Sequence, residues 1–253
     1  MRGFSIPLSP MRRFVCDLLH AAREAPTVPV QRRMRLGSVV LARANHPGRI
    51  PWSAIFIKAF AKVAAEIPEL RRAYVKFPWA RLYEYPKSVA SVAVEREHKG
   101  ERGVFFGRVN RPDTQPLSAI AERIRTLQTA PFEELPEFCR MLQVSRLPWP
   151  LRRWLWWFGL NLGSQRGHFF GTFALSVYSG LGSESLHPLS PITTTLTYGV
   201  IDDQGDVDVR LIYDHRVMDG STVARALARL EEELTTSLVA ELRETTPTRQ
   251  LAA

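Results

Sequence analysis

Near its C-terminus the chain reads Leu211-Ile212-Tyr213-Asp214-His215-Arg216-Val217-Met218-Asp219-Gly220, with a His-x-x-x-Asp-Gly spacing inside it. Upstream, Val207, Val209, Leu211 and Tyr213 alternate with Asp206, Asp208, Arg210 and Ile212, close to the period-2 signature of a strand with one buried face. Downstream, Val223, Ala226, Leu227, Leu230 and Leu234 recur at helical spacing. Asp219, Ser221 and Thr222 offer oxygen acceptors where the first backbone N–H groups of that helix need partners. His215 therefore sits on a tight strand-to-helix turn. A neutral imidazole, with an ordinary pKa near about 6.5, takes a proton readily at physiological pH, so His215 is the candidate general base. The competing reading is a histidine held by backbone in a turn, with Asp219 a helix cap and Gly220 a turn residue. A chance match to the spacing is expected in roughly 1% of shuffled chains of this composition, so the motif needs support from elsewhere.

Composition bounds the answer independently. With 253 residues, 45% of them hydrophobic and 10% aromatic, the chain can bury a sizeable core as one domain spanning 1–253. Cys16 and Cys139 are too few and too far apart for a disulfide framework or a metal cluster, and they fit a reducing, cytoplasmic setting with no metal. The first residues lack the apolar core of a secretory signal. The formal charge of +9 invites a nucleic-acid partner. Zinc-finger spacing, RRM and helix-turn-helix signatures are all missing and the basic residues are spread along the chain, so no nucleic acid is expected. Arginine outnumbers lysine 29 to 5, and guanidinium forks suit phosphate and carboxylate recognition, as a pyrophosphate-bearing substrate or an acidic carrier protein needs. The alternative is a solvated basic surface with no selected partner.

Periodicity predicts a helix over about 9–24, a strand near Val28 to Ala42, and a turn at Asn45-His46-Pro47-Gly48. It predicts a helix from Ile50 to Glu66, strands from Val89 to Glu95 and Val104 to Val109, and a charged loop at 96–102 between them. Leu117 to Gln128 carries Leu117, Ile120, Ala121, Ile124 and Leu127 at helical spacing. A Trp/Arg-rich segment spans about 145–170, with four of the six tryptophans between Trp149 and Trp157. Its apolar run is shorter than the about 20 residues that span a bilayer, so membrane association is not expected. Three roles are open to it: buried contact within the fold or between subunits, the lining of a channel for an apolar acyl chain, or a membrane-surface face. A C-terminal tail at 245–253 is expected to be disordered.

The decapeptide resembles the Asp-His-Arg-x-x-Asp-Gly segment of the acyltransferase (E2) subunits of 2-oxoacid dehydrogenase complexes, relatives of chloramphenicol acetyltransferase. The resemblance extends backwards. Gly171-Thr172-Phe173-Ala174-Leu175-Ser176 is similar to the family's Gly-Thr-Phe-Thr-Ile-Ser strand. Phe56-Ile57-Lys58-Ala59-Phe60-Ala61 with Ile67-Pro68-Glu69-Leu70 is similar to its Lys-Ala…Pro-Glu-Leu helix, and Val89 to Val94 fits the strand that follows. Met11-Arg12-Arg13 through Val28-Pro29-Val30 resembles the opening helix and the approach to the first strand. It places an amphipathic core helix where the Arg-rich, acid-poor composition alone admits a transit peptide.

The resemblance implies an α/β fold, the CoA-dependent acyltransferase (chloramphenicol acetyltransferase-like) fold, with a mixed β-sheet and flanking helices. It implies transfer of an acyl group from a thioester to a thiol, hydroxyl or amine, with coenzyme A or acyl-CoA as substrate. His215 is then the base and Ser176 the hydroxyl donor to the oxyanion. Asp219 holds the loop through an ion pair with an arginine. The family assembles homotrimers, with the site at the junction between subunits. Departures are visible: Val177-Tyr178-Ser179-Gly180 stands where the family continues Ser-Asn-Leu-Gly, and no lysine sits in an Asp-Lys-Ala lipoyl hairpin. No bound lipoyl group is expected, so an acyl carrier or lipoyl protein must act in trans. Two rivals are a non-catalytic trimeric scaffold and a carrier-bound condensation enzyme. The latter pairs two such halves in a longer chain and places a histidine before the motif histidine, where Asp214 stands here.

Overall fold

The computed structural model describes Met1 and residues 3–244; the tail at 245–253 lies outside the described residues. The first helix, α1 (Pro10–Ala22), matches the predicted one. The Ser9 hydroxyl accepts the Arg12 N–H at 3.1 Å, and Pro10 takes the first helical position, where an N–H is not needed. The strand expected over 28–42 is shorter: β1 (Thr27–Arg35) gives way to helix α2 (Gly37–Asn45). The reason is pairing. The neighbouring strand begins at Asp206, opposite Arg35, and beyond it the Leu36 N–H turns to the Gly205 carbonyl at 2.7 Å. Without a partner strand, Val39 and Ala42 are buried on a helix face instead.

Next come α3 (Trp52–Glu66), buried along most of its length, and a hairpin of β2 (Arg72–Val75) and β3 (Arg81–Glu84) that periodicity did not predict. Strands β4 (Val89–His98) and β5 (Glu101–Asn110) correct the loop expected at 96–102. Its charged residues are strand arms, and the turn is confined to Lys99 and Gly100, which take φ of 53° and 77°. Positive φ at both central residues is what the two-residue hairpin turn requires. The predicted apolar stripe of α4 (Leu117–Thr129) is buried in full.

Helices α5 (Pro136–Arg146), α6 (Trp149–Asn161) and α7 (Gly163–Phe170) precede β6 (Phe173–Leu175), β7 (Thr194–Tyr198) and β8 (Asp206–Asp214). The described chain closes with α8 (Gly220–Thr235), whose predicted stripe is buried, and α9 (Ser237–Glu244). The main sheet has six strands in the order β1-β8-β7-β6-β4-β5. It is mixed: β6 runs parallel to both β4 and β7, and the other pairs are antiparallel.

The two faces of the sheet differ. Phe173, Leu175, Leu196, Tyr198 and Leu211 belong to the main hydrophobic core, where the Phe173 ring meets Phe60 of α3 at 4.7 Å and Tyr198 stacks on Phe56 at 4.2 Å. Ala174, Ser176 and Thr195 alternate with these residues and face the opposite side, roofed by α1, α5, α6 and α7. A buried ion pair ties two of the roof helices together, Arg152 Nε of α6 to Asp17 Oδ2 of α1 at 2.8 Å. Buried Arg166 of α7 donates to the carbonyls of Tyr74 and Pro191 at 2.8 and 2.7 Å. Among the described residues, no helix is long and apolar enough to cross a membrane.

Candidate active site

His215 follows the last residue of β8, where its backbone N–H donates to the Pro26 carbonyl at 3.2 Å. The turn is clamped by its two neighbours. Asp214 is buried, and its carboxylate accepts from the Arg216 backbone N–H at 3.0 Å, from Nε at 2.9 Å and from Nη2 at 2.6 Å. Those hydrogen bonds are the main reason the Arg216 guanidinium titrates above its ordinary range, with burial acting in the opposite direction. The same guanidinium lies over the Tyr74 ring, 4.4 Å from its centroid, which ties the turn to β2.

The His215 side chain is half exposed, and its ring lies 5.5 Å from that of Tyr213. Its Nδ1 is 3.7 Å from Asp219 Oδ1, a charge contact longer than a hydrogen bond. Asp219 is 82% exposed. Within one chain no arginine pairs with Asp219 among the described residues: its near neighbour is His215, and the arginine of the turn, Arg216, pairs with Asp214. Position explains the difference. Asp214 is the last strand residue and is buried against the sheet, whereas Asp219 is at the exposed N-cap of α8 and makes no side-chain cap hydrogen bond. The carbonyl of Asp219 takes the capping contacts instead, from Thr222 and Val223 N–H at 3.0 and 3.2 Å. Burial and, secondarily, the Asp219 charge push the Tyr213 phenol above its usual pKa.

Ser176 is positioned by the Gly171-Thr172 block. Gly171 has φ of +83°, and a Cβ there would stand 2.8 Å from the Val89 carbonyl, so glycine is required. Thr172 Oγ1 accepts the Val89 N–H at 3.0 Å, locking β6 onto β4. Ser176 then leaves the strand with its N–H donated to Leu196 at 3.1 Å. Its hydroxyl makes no hydrogen bond among the described residues and lies on the wall of a cavity of about 540 Å³.

One chain does not bring Ser176 to His215. Leu175 is level with Leu196 of β7, which is level with Leu211 of β8. From that row Ser176 lies one residue in one direction and His215 four in the other, roughly 17 Å along the strands plus two strand spacings. They also serve opposite faces: Ser176 lines the roofed cavity, and the His215 ring lies beside Tyr213 of the core.

The Trp/Arg-rich segment divides. Trp156 is buried, with rings of Phe14 and Phe170 at 5.3 and 5.1 Å, and with Leu155, Phe158 and Gly159 it lines the cavity. Trp149 and Trp154 stand at the surface. Sequence reasoning quoted Asp214 and Arg216 without assigning them a role. Their two-residue spacing at a strand end was the available signal.

No protein-family model and no curated protein matches the sequence. Solved structures do. The dihydrolipoamide acetyltransferase of Azotobacter vinelandii superposes with a TM-score of 0.66 at 17% identity, over 95% of this chain and 94% of that one. A probable dihydrolipoamide acetyltransferase from Listeria monocytogenes 4b F2365 gives 0.64 at 16% identity, over 99% and 98%. The chain has the fold of these acetyltransferases. A chloramphenicol acetyltransferase shares it, with a TM-score of 0.51 at 13% identity over 92% of this chain and 100% of the other. The Azotobacter structure bears on the role of a serine, a histidine and an asparagine four residues beyond the histidine in that enzyme's catalytic mechanism.

Proposed function

We propose that the chain is an acyltransferase catalytic domain, moving an acyl group from a thioester of coenzyme A or of a carrier protein to a thiol, hydroxyl or amine. The observation that carries this reading is the pair of displayed groups in an acetyltransferase fold: a half-exposed histidine on a clamped turn and a serine hydroxyl free on a cavity wall.

His215 takes the proton of the acceptor as its heteroatom attacks the thioester carbonyl carbon. The new bond forms while the carbonyl electron pair moves onto oxygen, and the Ser176 hydroxyl donates to that oxyanion. On collapse the carbon–sulfur bond breaks, and the proton held by His215 passes to the leaving thiolate. Asp219 places its carboxylate 3.7 Å from Nδ1, beside the ring that carries the proton between these steps. Asp214 and Arg216 are positioning residues that fix the turn from both sides. Because Ser176 and His215 of one chain lie far apart, the reading requires a homotrimer in which the histidine of one subunit meets the serine of its neighbour. A screen of acyl-CoA donors against thiol, alcohol and amine acceptors tests the function. Transfer lost on His215→Ala is the expected result, and absence of transfer from every donor in the native oligomer removes the reading in favour of a scaffold.

A further inference from the structure

We propose that the cavity beneath α1, α5, α6 and α7 is an acyl-chain chamber, taking the apolar tail of a thioester whose carbonyl reaches Ser176. This rests on the acyltransferase reading and adds the substrate class: acyl groups with a hydrocarbon tail longer than acetyl. The volume, about 540 Å³, is mid-range for small-molecule sites, roughly 300–1,000 Å³, and far larger than an acetyl group needs. Phe14 and Leu18 of α1, Phe106 of β5, Val144 of α5, Trp156 of α6 and Phe170 of α7 form its apolar walls.

The charged side chains at its edge are already engaged. Glu137 pairs with Arg123, the Arg108 guanidinium donates to the His168 carbonyl, and Arg140 lies against the Phe169 ring at 6.0 Å. The Ser176 hydroxyl, by contrast, is unengaged on the same wall as Ala93 and Phe106. Ser176 lies with Ser91 and Thr195 on a short polar strip of the sheet wall, and that strip beside a large apolar volume matches an amphipathic ligand with its carbonyl at the serine and its tail under the roof. The roof is preformed, because the Arg152–Asp17 pair fixes α6 to α1 and the Arg166 hydrogen bonds fix α7 to β2 and to the Pro191 carbonyl.

Calorimetric titration of the native oligomer with neutral S-alkyl-N-acetylcysteamine thioethers, from two to twelve alkyl carbons, tests this without turnover. Each methylene is expected to tighten binding by about fourfold until the chamber is full. Ala93→Phe on the floor and Val144→Trp on the roof each fill the chamber from a different wall, and either one, folded, is expected to flatten that dependence. Trp154→Ser, on the exposed face of α6, is expected to preserve it. No binding, binding independent of length, length dependence that survives both filling substitutions, or loss of dependence on Trp154→Ser overturns the chamber. A neighbouring subunit filling the space produces the length-independent result. Length-dependent binding without acyl transfer leaves the chamber standing and removes the enzymatic reading. Acetyl transfer with length-independent binding does the reverse.

Discussion

Asp214 and Arg216 close a two-point ion pair across the residue between them, Nε to Oδ1 at 2.9 Å and Nη2 to Oδ2 at 2.6 Å, and that residue is His215. The carboxylate is buried and the guanidinium largely covered by Tyr74, so water cannot replace either partner fully. Arg216→Ala leaves a buried carboxylate unpaired and is expected to cost about 3 kcal/mol in urea denaturation, with turnover falling as well. Arg216→Lys, unable to reproduce the fork, recovers only part of both. A stability unchanged by Arg216→Ala removes the clamp from the argument.

His215→Ala deletes a half-exposed ring, so the fold is expected to persist while turnover drops about 10²–10⁴-fold, the range for loss of a general base. Thermal melts and steady-state kinetics on the same preparation decide it. A folded variant with near-native turnover excludes His215 as the base.

Asp219→Asn separates charge support from loop support. The side chain is exposed and caps nothing, so the midpoint of thermal unfolding is expected to move by no more than about 2 °C. Turnover falls modestly through loss of the charge beside Nδ1. A large drop in midpoint would return Asp219 to the structural role that Asp214 fills here.

The separation of Ser176 from His215 predicts complementation. Each of His215→Ala and Ser176→Ala is impaired alone, yet oligomers mixed from the two contain junctions with an intact histidine facing an intact serine. Doubly tagged hybrids from co-expression are expected to regain a measurable fraction of native activity. Hybrids no faster than the better single variant exclude the shared site.

Arg152 and Asp17 join the roof helices through a buried pair. Arg152→Ala leaves the Asp17 carboxylate only its longer contact with Arg153, at 3.7 Å, and is expected to destabilise the chain by about 3 kcal/mol, whereas Arg152→Met with Asp17→Leu is expected to cost less. Denaturant titrations of the single and double variants make the comparison. Equal losses in both would assign the effect to packing volume instead of unpaired charge.

Local pattern decided much of this protein. Alternation placed β8, the stripe from Val223 to Leu234 placed α8, and the residues between them left His215 on a turn, because side-chain periodicity and turn chemistry depend on near neighbours. The Gly171 to Ser176 block was legible only through its resemblance to a known strand motif, because the Thr172 bond to Val89 that fixes it joins residues 83 apart in sequence. What tertiary structure alone decided concerns partners distant in sequence. That β1 stops at Arg35 and that helices α5 to α7 roof a cavity over Ser176 depend on which strands pair and which side chains become buried. The register linking Leu175, Leu196 and Leu211 places Ser176 and His215 at opposite ends and faces of one sheet. No local pattern encodes that distance, because strand register is set by hydrogen bonding and burial across the whole sheet.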